Sequence, residues 1–370
     1  MFEALFRRGP VQFTARIQPA EVAFRSSSKE TLLQSALNQG IAFPHNCRAG
    51  GCGACKCRLV EGKVKELTDK SYLLSAEELR DNYILACQSI PKSDVLLAVD
   101  LNSGCPQHPL VECQATIQSL DQLTHDILHI KLGIERPLAY TCGQYAEVVL
   151  PAQADGIAGS TRSYSFAASP GPDGETNHLE FFIRKVPGGA FTEWLFAHAK
   201  PGMALELRGP YGDFYLRPGS DPIVCIAGGS GLAPIKALLE LEQQTATKGR
   251  DVVVFFGARS QNDLYGIDDL TRLGKQWPGR FDVIPVLSNE PENSNWQGRR
   301  GFIHEHVSGD LGERLARHHA YLCGPPLMID ACVEVLTQSG IDKAHIHFDK
   351  FLDQSHLNAT AGPTGNCDGL

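Results

Sequence analysis

Hydrophobic and polar positions change their rhythm along this chain. Alternation with a period of two runs through VQFTARIQ (11–18) and EVAFR (21–25), which predicts two strands. A helical spacing follows over Glu30–Asn38 and stops at Gly40. CRLVEGKVKEL (57–67) reads as a hairpin and DVLLAVDL (94–101) as a closing strand, a set that suits a small α+β domain of β-grasp type. NSGCPQHP (102–109) has linker composition. Strands broken by small residues then appear at 143–151 and 162–170, and FFIRK (181–185) is a strand that runs into Gly188-Gly189 and a helix from about Ala190. Past residue 219 the pattern changes again. Continuous apolar strands at 223–226, 252–256 and 281–288 alternate with helical segments, and AYLCGPPLMIDACVEVL (320–336) reads as strand, tight turn and helix. Strands alternating with helices over about 130 residues predict a doubly wound α/β domain.

A chain of 370 residues exceeds one ordinary core, so the fold is multidomain. Hydrophobic content of 42% and charged content of 21% are those of an ordinary soluble protein. The apolar runs are far too short to span a bilayer. MFEALFRRGP carries its basic pair after its apolar residues, unlike a secretory signal, so the cytoplasm is the expected location. Phe2, Leu5 and Phe6 beside Arg7 and Arg8 fit either a frayed terminus or a short amphipathic contact with a membrane-embedded partner. The net charge of −8 is uneven: residues 1–103 hold 13 Lys/Arg against 11 Asp/Glu, and the remainder 21 against 31. No basic block points to nucleic acid.

Twelve cysteines in a long chain without an export signal favour reduced thiols or metal ligation over a disulfide framework. Cys47, Cys52 and Cys55 stand at C-x4-C-x2-C, and Cys87 follows 32 residues later, which is the plant-type [2Fe–2S] spacing. The intervening Ala49, Gly50, Gly51, Gly53 and Ala54 would let main-chain N–H groups approach the anionic sulfides. Structural zinc prefers two paired knuckles, whereas Cys87 is single and distant. Cys57 could also ligate, but the spacing leaves it a bystander.

These residues resemble a plant-type ferredoxin domain. Further on, Arg162-Ser163-Tyr164-Ser165 fits the R-x-Y-S motif of the ferredoxin–NADP reductase superfamily. Its chemistry suits a flavin: a guanidinium fork for pyrophosphate, a ring to lie against the isoalloxazine and a hydroxyl for its N5 edge. Ile183 and Arg184 lead into Gly188-Gly189, whose following helix N-terminus can receive phosphate. Thr192 stands where the family usually has Ser. The loop Gly228-Gly229-Ser230-Gly231, between a buried strand and a helix with Pro234 near its first turn, is a phosphate cradle that lacks the G-x-G-x-x-G form.

In the superfamily the Cys of C-G-P-P lies beside the nicotinamide. The resemblance therefore places Cys323 there, with Gly324, Pro325 and Met328 around it; a small buried core residue is the plain alternative. Asp349 and Phe351 match the family's D-x-F near the flavin, although 19 residues follow Phe351 and a core role suits it equally. With Ser165, Cys323 and Asp349 form the expected catalytic set.

The order of these segments resembles the reductase components of multicomponent bacterial oxygenases. That implies a ferredoxin domain (11–103), a linker (104–112), an FAD-binding antiparallel β-barrel (113–218), an NAD(H)-binding α/β domain (219–352) and a tail (353–370). It also implies a terminal oxygenase partner, membrane-embedded or soluble, that hydroxylates a hydrocarbon. Another one-electron acceptor, such as a deoxysugar dehydratase, or a Rieske dioxygenase is the alternative. Electrons would pass from NADH to FAD to [2Fe–2S], in a monomer that is cytoplasmic or held at the inner membrane through its partner. NADH is expected over NADPH because only Arg259 follows FFGA, with Asp263 nearby. That single Arg keeps NADPH open.

Overall fold

The computed structural model describes residues 10–46, 48–101, 105–106, 108–152, 154, 156–245 and 249–351. Cys47, the opening segment with Phe2 to Arg8 and the tail lie outside the described residues. The chain divides into two compact units, one within residues 1–107 and one of residues 108–351.

The first unit holds β1 (Gln12–Gln18), β2 (Val22–Ser27), α1 (Leu32–Asn38), β3 (Lys56–Glu61), β4 (Val64–Glu66), α2 (Ala76–Arg80), β5 (Tyr83–Leu85), β6 (Ser89–Pro91) and β7 (Val95–Ala98). Its main sheet runs β2-β1-β7-β3-β5. Alternation in β1 and β7 sends Ala15, Ile17, Val95 and Leu97 inward against Leu32, Leu33 and Ala36 of α1, the packing of a β-grasp core. Thr31 caps α1 by accepting from Gln34 N.

One expectation from the pattern fails here. CRLVEGKVKEL is not a hairpin: β3 pairs with β5 and β7, whereas β4 pairs with β6. Gly62 explains the break, for it takes φ +96° and a Cβ there would lie 2.2 Å from Asp94 O, so the chain turns aside against the start of β7 instead of folding back. DVLLAVDL does hold the unit's last strand, β7, which lies between β1 and β3.

The second unit begins with β8 (Val111–Gln122), β9 (Ile127–Ala139), β10 (Tyr145–Val149), β11 (Thr161–Ser165), β12 (Glu175–Arg184), α3 (Ala190–His198) and β13 (Ala204–Tyr211). All pairings in its sheet, β11-β10-β13-β8-β9-β12, are antiparallel. A bridge between Phe166 and Phe181 joins the two edges and rolls the sheet toward a barrel. Ile117, Leu132, Leu179, Leu207 and Phe181 fill its interior.

The same unit continues with β14 (Ile223–Gly228), α4 (Leu232–Thr245), β15 (Val252–Ala258), α5 (Ile267–Lys275), β16 (Phe281–Leu287), β17 (Arg299–Arg300), α6 (Val307–Leu311), β18 (His319–Gly324), α7 (Pro326–Gln338) and β19 (Ile346–Lys350). The sheet is wholly parallel in the order β17-β16-β15-β14-β18-β19. Every residue of β14 is buried, as a strand covered by helices on both faces must be. The order reverses between β14 and β18, so the loops after these two strands open the crevice where α/β sheets bind ligands.

Candidate functional site

In the first unit, the loop between Phe43 and β3 brings Cys52 and Cys55 inward, and the turn after β5 brings Cys87. All three are buried. The Cys87 amide lies 3.5 Å from Cys55 Sγ, so two sequence positions 32 apart already share one point. The loop needs its glycines: Gly50 takes φ +84° and Gly53 φ +76°. Tyr72 Oη donates to Gly50 O at 2.5 Å and fastens the loop from the solvent side. Three buried thiols converging under a loop of small residues fit a thiolate-ligated cluster. Cys57 belongs not to this loop but to the strand after it. It sits on β3 opposite Ile84, fully buried in the apolar core, where burial pushes its thiol up to about 12.

In the barrel, β11 carries the R-x-Y-S tetrad. Arg162 and Ser163 are exposed, Tyr164 is half-buried and Ser165 is buried. The Arg162 guanidinium lies 5.9 Å from the Phe191 ring, and Tyr164 stacks at a tilt 5.9 Å from the same ring. Phe191 belongs to the first turn of α3, so the tetrad and this helix N-terminus meet at one place. A guanidinium, two hydroxyls, a phenol ring and a helix N-terminus make a donor set that fits a flavin pyrophosphate and ring. Burial raises the Tyr164 phenol further, so it stays protonated.

The turn before α3 is held from within. Val186 N donates to Thr192 Oγ1 at 3.0 Å, and Gly188 N donates to Glu193 Oε1 at 3.0 Å. Thr192 is thus occupied in shaping the loop. A Cβ on Gly189 would lie 2.9 Å from Val186 O. Ile183 is buried in the barrel core, while Arg184 reaches Asp126 at 3.3 Å and its Cδ lies 3.8 Å from where a Gly229 Cβ would stand.

The third cradle is built by close approach. A Cβ on Gly231 would lie 2.1 Å from Cys323 O, one on Gly228 would lie 2.7 Å from Met328 Sδ, and one on Gly324 would lie 2.9 Å from Gly228 O. The GGSG and CGPP turns therefore touch through their backbones at Gly231 and Gly324, where only glycine fits, while Gly228 faces the Met328 side chain. Tyr265 Oη donates to Gly229 O at 2.8 Å and supports the first turn from beneath. Such a narrow, side-chain-free floor fits a dinucleotide. Cys323 is fully buried in β18 between Ala227 and Asp349 of its neighbour strands. Burial, then the Asp349 and Cys225 charges, push its thiol well above the ordinary range, so it stays a neutral thiol. Asp349 is buried on β19; Phe351 is half-buried, and its amide donates to Gly324 O at 2.9 Å. Arg259, just past β15, is enclosed by carboxylates: Asp126 at 2.9 Å and Asp263 at 3.3 Å.

Barrel and nucleotide cradle meet within one unit. Ile127, Cys142, Ala167, Phe182 and Phe214 of the barrel share a core with β14, α4 and β15. Tyr265, Asp126 and Lys236 are contributors that the sequence pattern does not single out. The apolar GLAPIK stretch hid Lys236, and the others act across more than thirty residues.

An iron–sulfur barrel-and-dinucleotide oxidoreductase is the class these three cradles define, and comparison with known proteins narrows it. Residues 15–92 match the 2Fe-2S iron-sulfur cluster binding domain, 114–215 the oxidoreductase FAD-binding domain and 225–334 the oxidoreductase NAD-binding domain. The chain is 41% identical to the xylene/toluene monooxygenase electron transfer component XylA of Pseudomonas putida, covering 93% of this chain and 95% of that one. It is 34% identical to the phenol hydroxylase P5 protein of Acinetobacter pittii (strain PHEA-2), over 92% and 95%. Among solved structures it resembles the ferredoxin reductase in carbazole 1,9a-dioxygenase (TM-score 0.71, 34% identity, 94% of this chain and 100% of that one). It also resembles the Amycolatopsis cytochrome P450 reductase GcoB (TM-score 0.76, 32% identity, 92% and 98%). The chain belongs to the reductase components of multicomponent oxygenases, oxidoreductases that pass electrons from NADH through FAD and [2Fe–2S] to an oxygenase. Among the described residues no helix is long and apolar enough to cross a membrane.

Proposed function

We propose that this chain feeds a hydrocarbon or aromatic hydroxylase of the membrane-embedded diiron kind, acting as a monomer in the cytoplasm and reaching the inner membrane through that partner. The observation that carries the reading is the 41% identity along 93% of the chain to a xylene/toluene monooxygenase electron transfer component. Supply to a Rieske dioxygenase is the second reading, favoured by the likeness to the carbazole dioxygenase reductase. The working division is 11–103, 113–218 and 219–352, with a linker at 104–112 and a tail at 353–370.

The residues divide the work as follows. Cys47, Cys52, Cys55 and Cys87 are the cluster ligands. Arg162, Ser163 and the N-terminus of α3 behind Gly188 and Gly189 bind the flavin's pyrophosphate. Ile183 and Arg184 border the flavin, and Thr192 keeps that turn in shape. Tyr164 lies along the ring, and Ser165 offers its hydroxyl to the edge that receives the hydride. Gly228, Gly229, Ser230 and Gly231 seat the pyridine nucleotide, while Cys323, Gly324, Pro325 and Met328 border its nicotinamide. Asp349 and Phe351 close the flavin side. Arg259 and Arg184 face Asp126 and Asp263, so no net positive charge gathers there for a 2′-phosphate, which supports NADH. When bound, the flavin takes an electron pair and the cluster carries electrons singly; the protein's part is placement.

Anaerobic NADH should bleach both flavin and cluster absorption and raise a cluster EPR signal. In Cys87→Ser the EPR signal and cytochrome c reduction should vanish while NADH still reduces the flavin. A surviving cluster signal removes Cys87 from the ligand set. Turnover reconstituted with a membrane diiron hydroxylase, and not with a Rieske oxygenase, supports the first partner; the reverse result supports the second.

A further inference from the structure

Helix α4 begins at the GGSG cradle, and its buried face does more than pack. Lys236, 9% exposed, lies in its second turn and donates from Nζ to Ala167 O at 3.0 Å. Ala167 stands two residues past Ser165, on the segment that leaves the tetrad strand. One turn further along α4, Glu240 accepts from Ser169 N at 3.0 Å and pairs with Lys236 at 2.5 Å. Gln244 then accepts from Ser169 Oγ at 3.3 Å.

The same short segment is tied on its other side to the barrel. Phe166 N donates to Gln144 O at 3.1 Å, Ala167 N to Glu180 O at 2.8 Å, and Tyr140 Oη to Ala168 O at 2.9 Å. Residues 166–169 are therefore a splice, with barrel partners on one side and successive turns of a single helix on the other. Removing an ammonium from water is costly, and a leucine or methionine would fill this core without that cost. Here the ammonium is held by the Glu240 carboxylate and by a backbone carbonyl of the barrel segment, so what it adds is a fixed distance.

We propose that Lys236 is a positioning residue for hydride transfer. Through Ala167 O it sets the tetrad strand at a fixed spacing from the helix whose first turn forms the nucleotide cradle, with Glu240 holding the lysine and Ser169 in register. A hydride passes only when donor carbon and acceptor nitrogen are held at contact distance, so a slack splice costs rate more than affinity. This inference rests on the assignment of Ser165 to the flavin and of Gly228–Gly231 to the nucleotide.

The test uses the flavin- and cluster-loaded protein with Lys236→Met and Lys236→Arg. Anaerobic mixing of Lys236→Met with NADH should show flavin reduction at least about tenfold slower. Its NADH dissociation constant should stay within about twofold, and the long-wavelength absorbance of the nicotinamide–flavin complex should weaken. Hydrogen exchange at the Ser169 amide should quicken, and Lys236→Arg should restore most of the rate. Wild-type reduction with undiminished long-wavelength absorbance overturns the proposal. So does an equal loss of NADH affinity, which would make Lys236 a binding residue. If Lys236→Met does not retain FAD, Glu240→Gln is read in the same way, with the same outcomes deciding. Failure of the wild type to reduce its flavin with NADH would instead refute the function on which this proposal rests.

Discussion

The cluster loop and the nucleotide cradle are both rich in glycine, for different reasons. In the loop, Gly50 and Gly53 are demanded by conformation: their φ angles are +84° and +76°, and the nearest atoms to an added Cβ are flexible side chains, Gln88 and Leu73. In the cradle, Gly231 is demanded mainly by space, since there the obstacle is backbone. A side chain can swing away, but a paired strand cannot. Loop glycines should therefore tolerate substitution better than cradle glycines, although both motifs look alike in one-letter code.

Gly231→Ala should separate the regions most sharply. A Cβ 2.1 Å from Cys323 O and 2.5 Å from its carbonyl carbon forces β14 and β18 apart. We expect a loss of at least about 3 kcal/mol, and nucleotide affinity falling with it. Thermal denaturation and titration with NAD+ would read both. A protein that melts normally would show that the two turns are not in backbone contact.

Cys323→Ala acts at the other side of that contact and should behave differently. The thiol is small, neutral and fully buried, so its removal should cost about 1 kcal/mol of stability. Flavin reduction should slow on the order of tenfold or more if the thiol borders the nicotinamide. Rapid mixing with NADH distinguishes the roles: an unchanged rate makes Cys323 a packing residue. Gly50→Ala should be milder than Gly231→Ala. Holding alanine at a left-handed φ costs about 1 kcal/mol, and Gln88, whose Cγ would be 2.8 Å away, can rotate. Cluster absorption should survive with a slightly lower melting temperature.

The same contrast explains which features the sequence pattern carries on its own. Motifs whose chemistry is local were legible: the C-x4-C-x2-C run, the tetrad on β11, the glycine turns and the order of three domains. The long periodic segments also fell where the pattern put them, as with β1, α1, β14 and α7. What stayed hidden was long-range. Nothing near Lys236 announces that its partner is Ala167, 69 residues earlier, and nothing near Arg259 announces Asp126, 133 residues away. The break between β3 and β4 is hidden from the pattern for a related reason. Gly62 looks like a tight-turn residue, and only the approach of Asp94 O shows that the turn leads away.

The smallest expected effect falls on Cys57, and it tests how far spacing can be trusted inside the cluster region itself. Cys55-x-Cys57 offers two thiols to the same neighbourhood, so composition alone does not choose between them. The contact with Cys87 does. Cys55 stands just before β3 with its Sγ 3.5 Å from the Cys87 amide, whereas position 57 is paired with Ile84 within the strand and is fully buried. Cys57→Ala should therefore keep the full cluster absorption and EPR spectrum and lose about 1 kcal/mol, the cost of a small cavity. A bleached protein would mean that the strand carries a ligand, and that its side chain turns toward the metal on cluster binding.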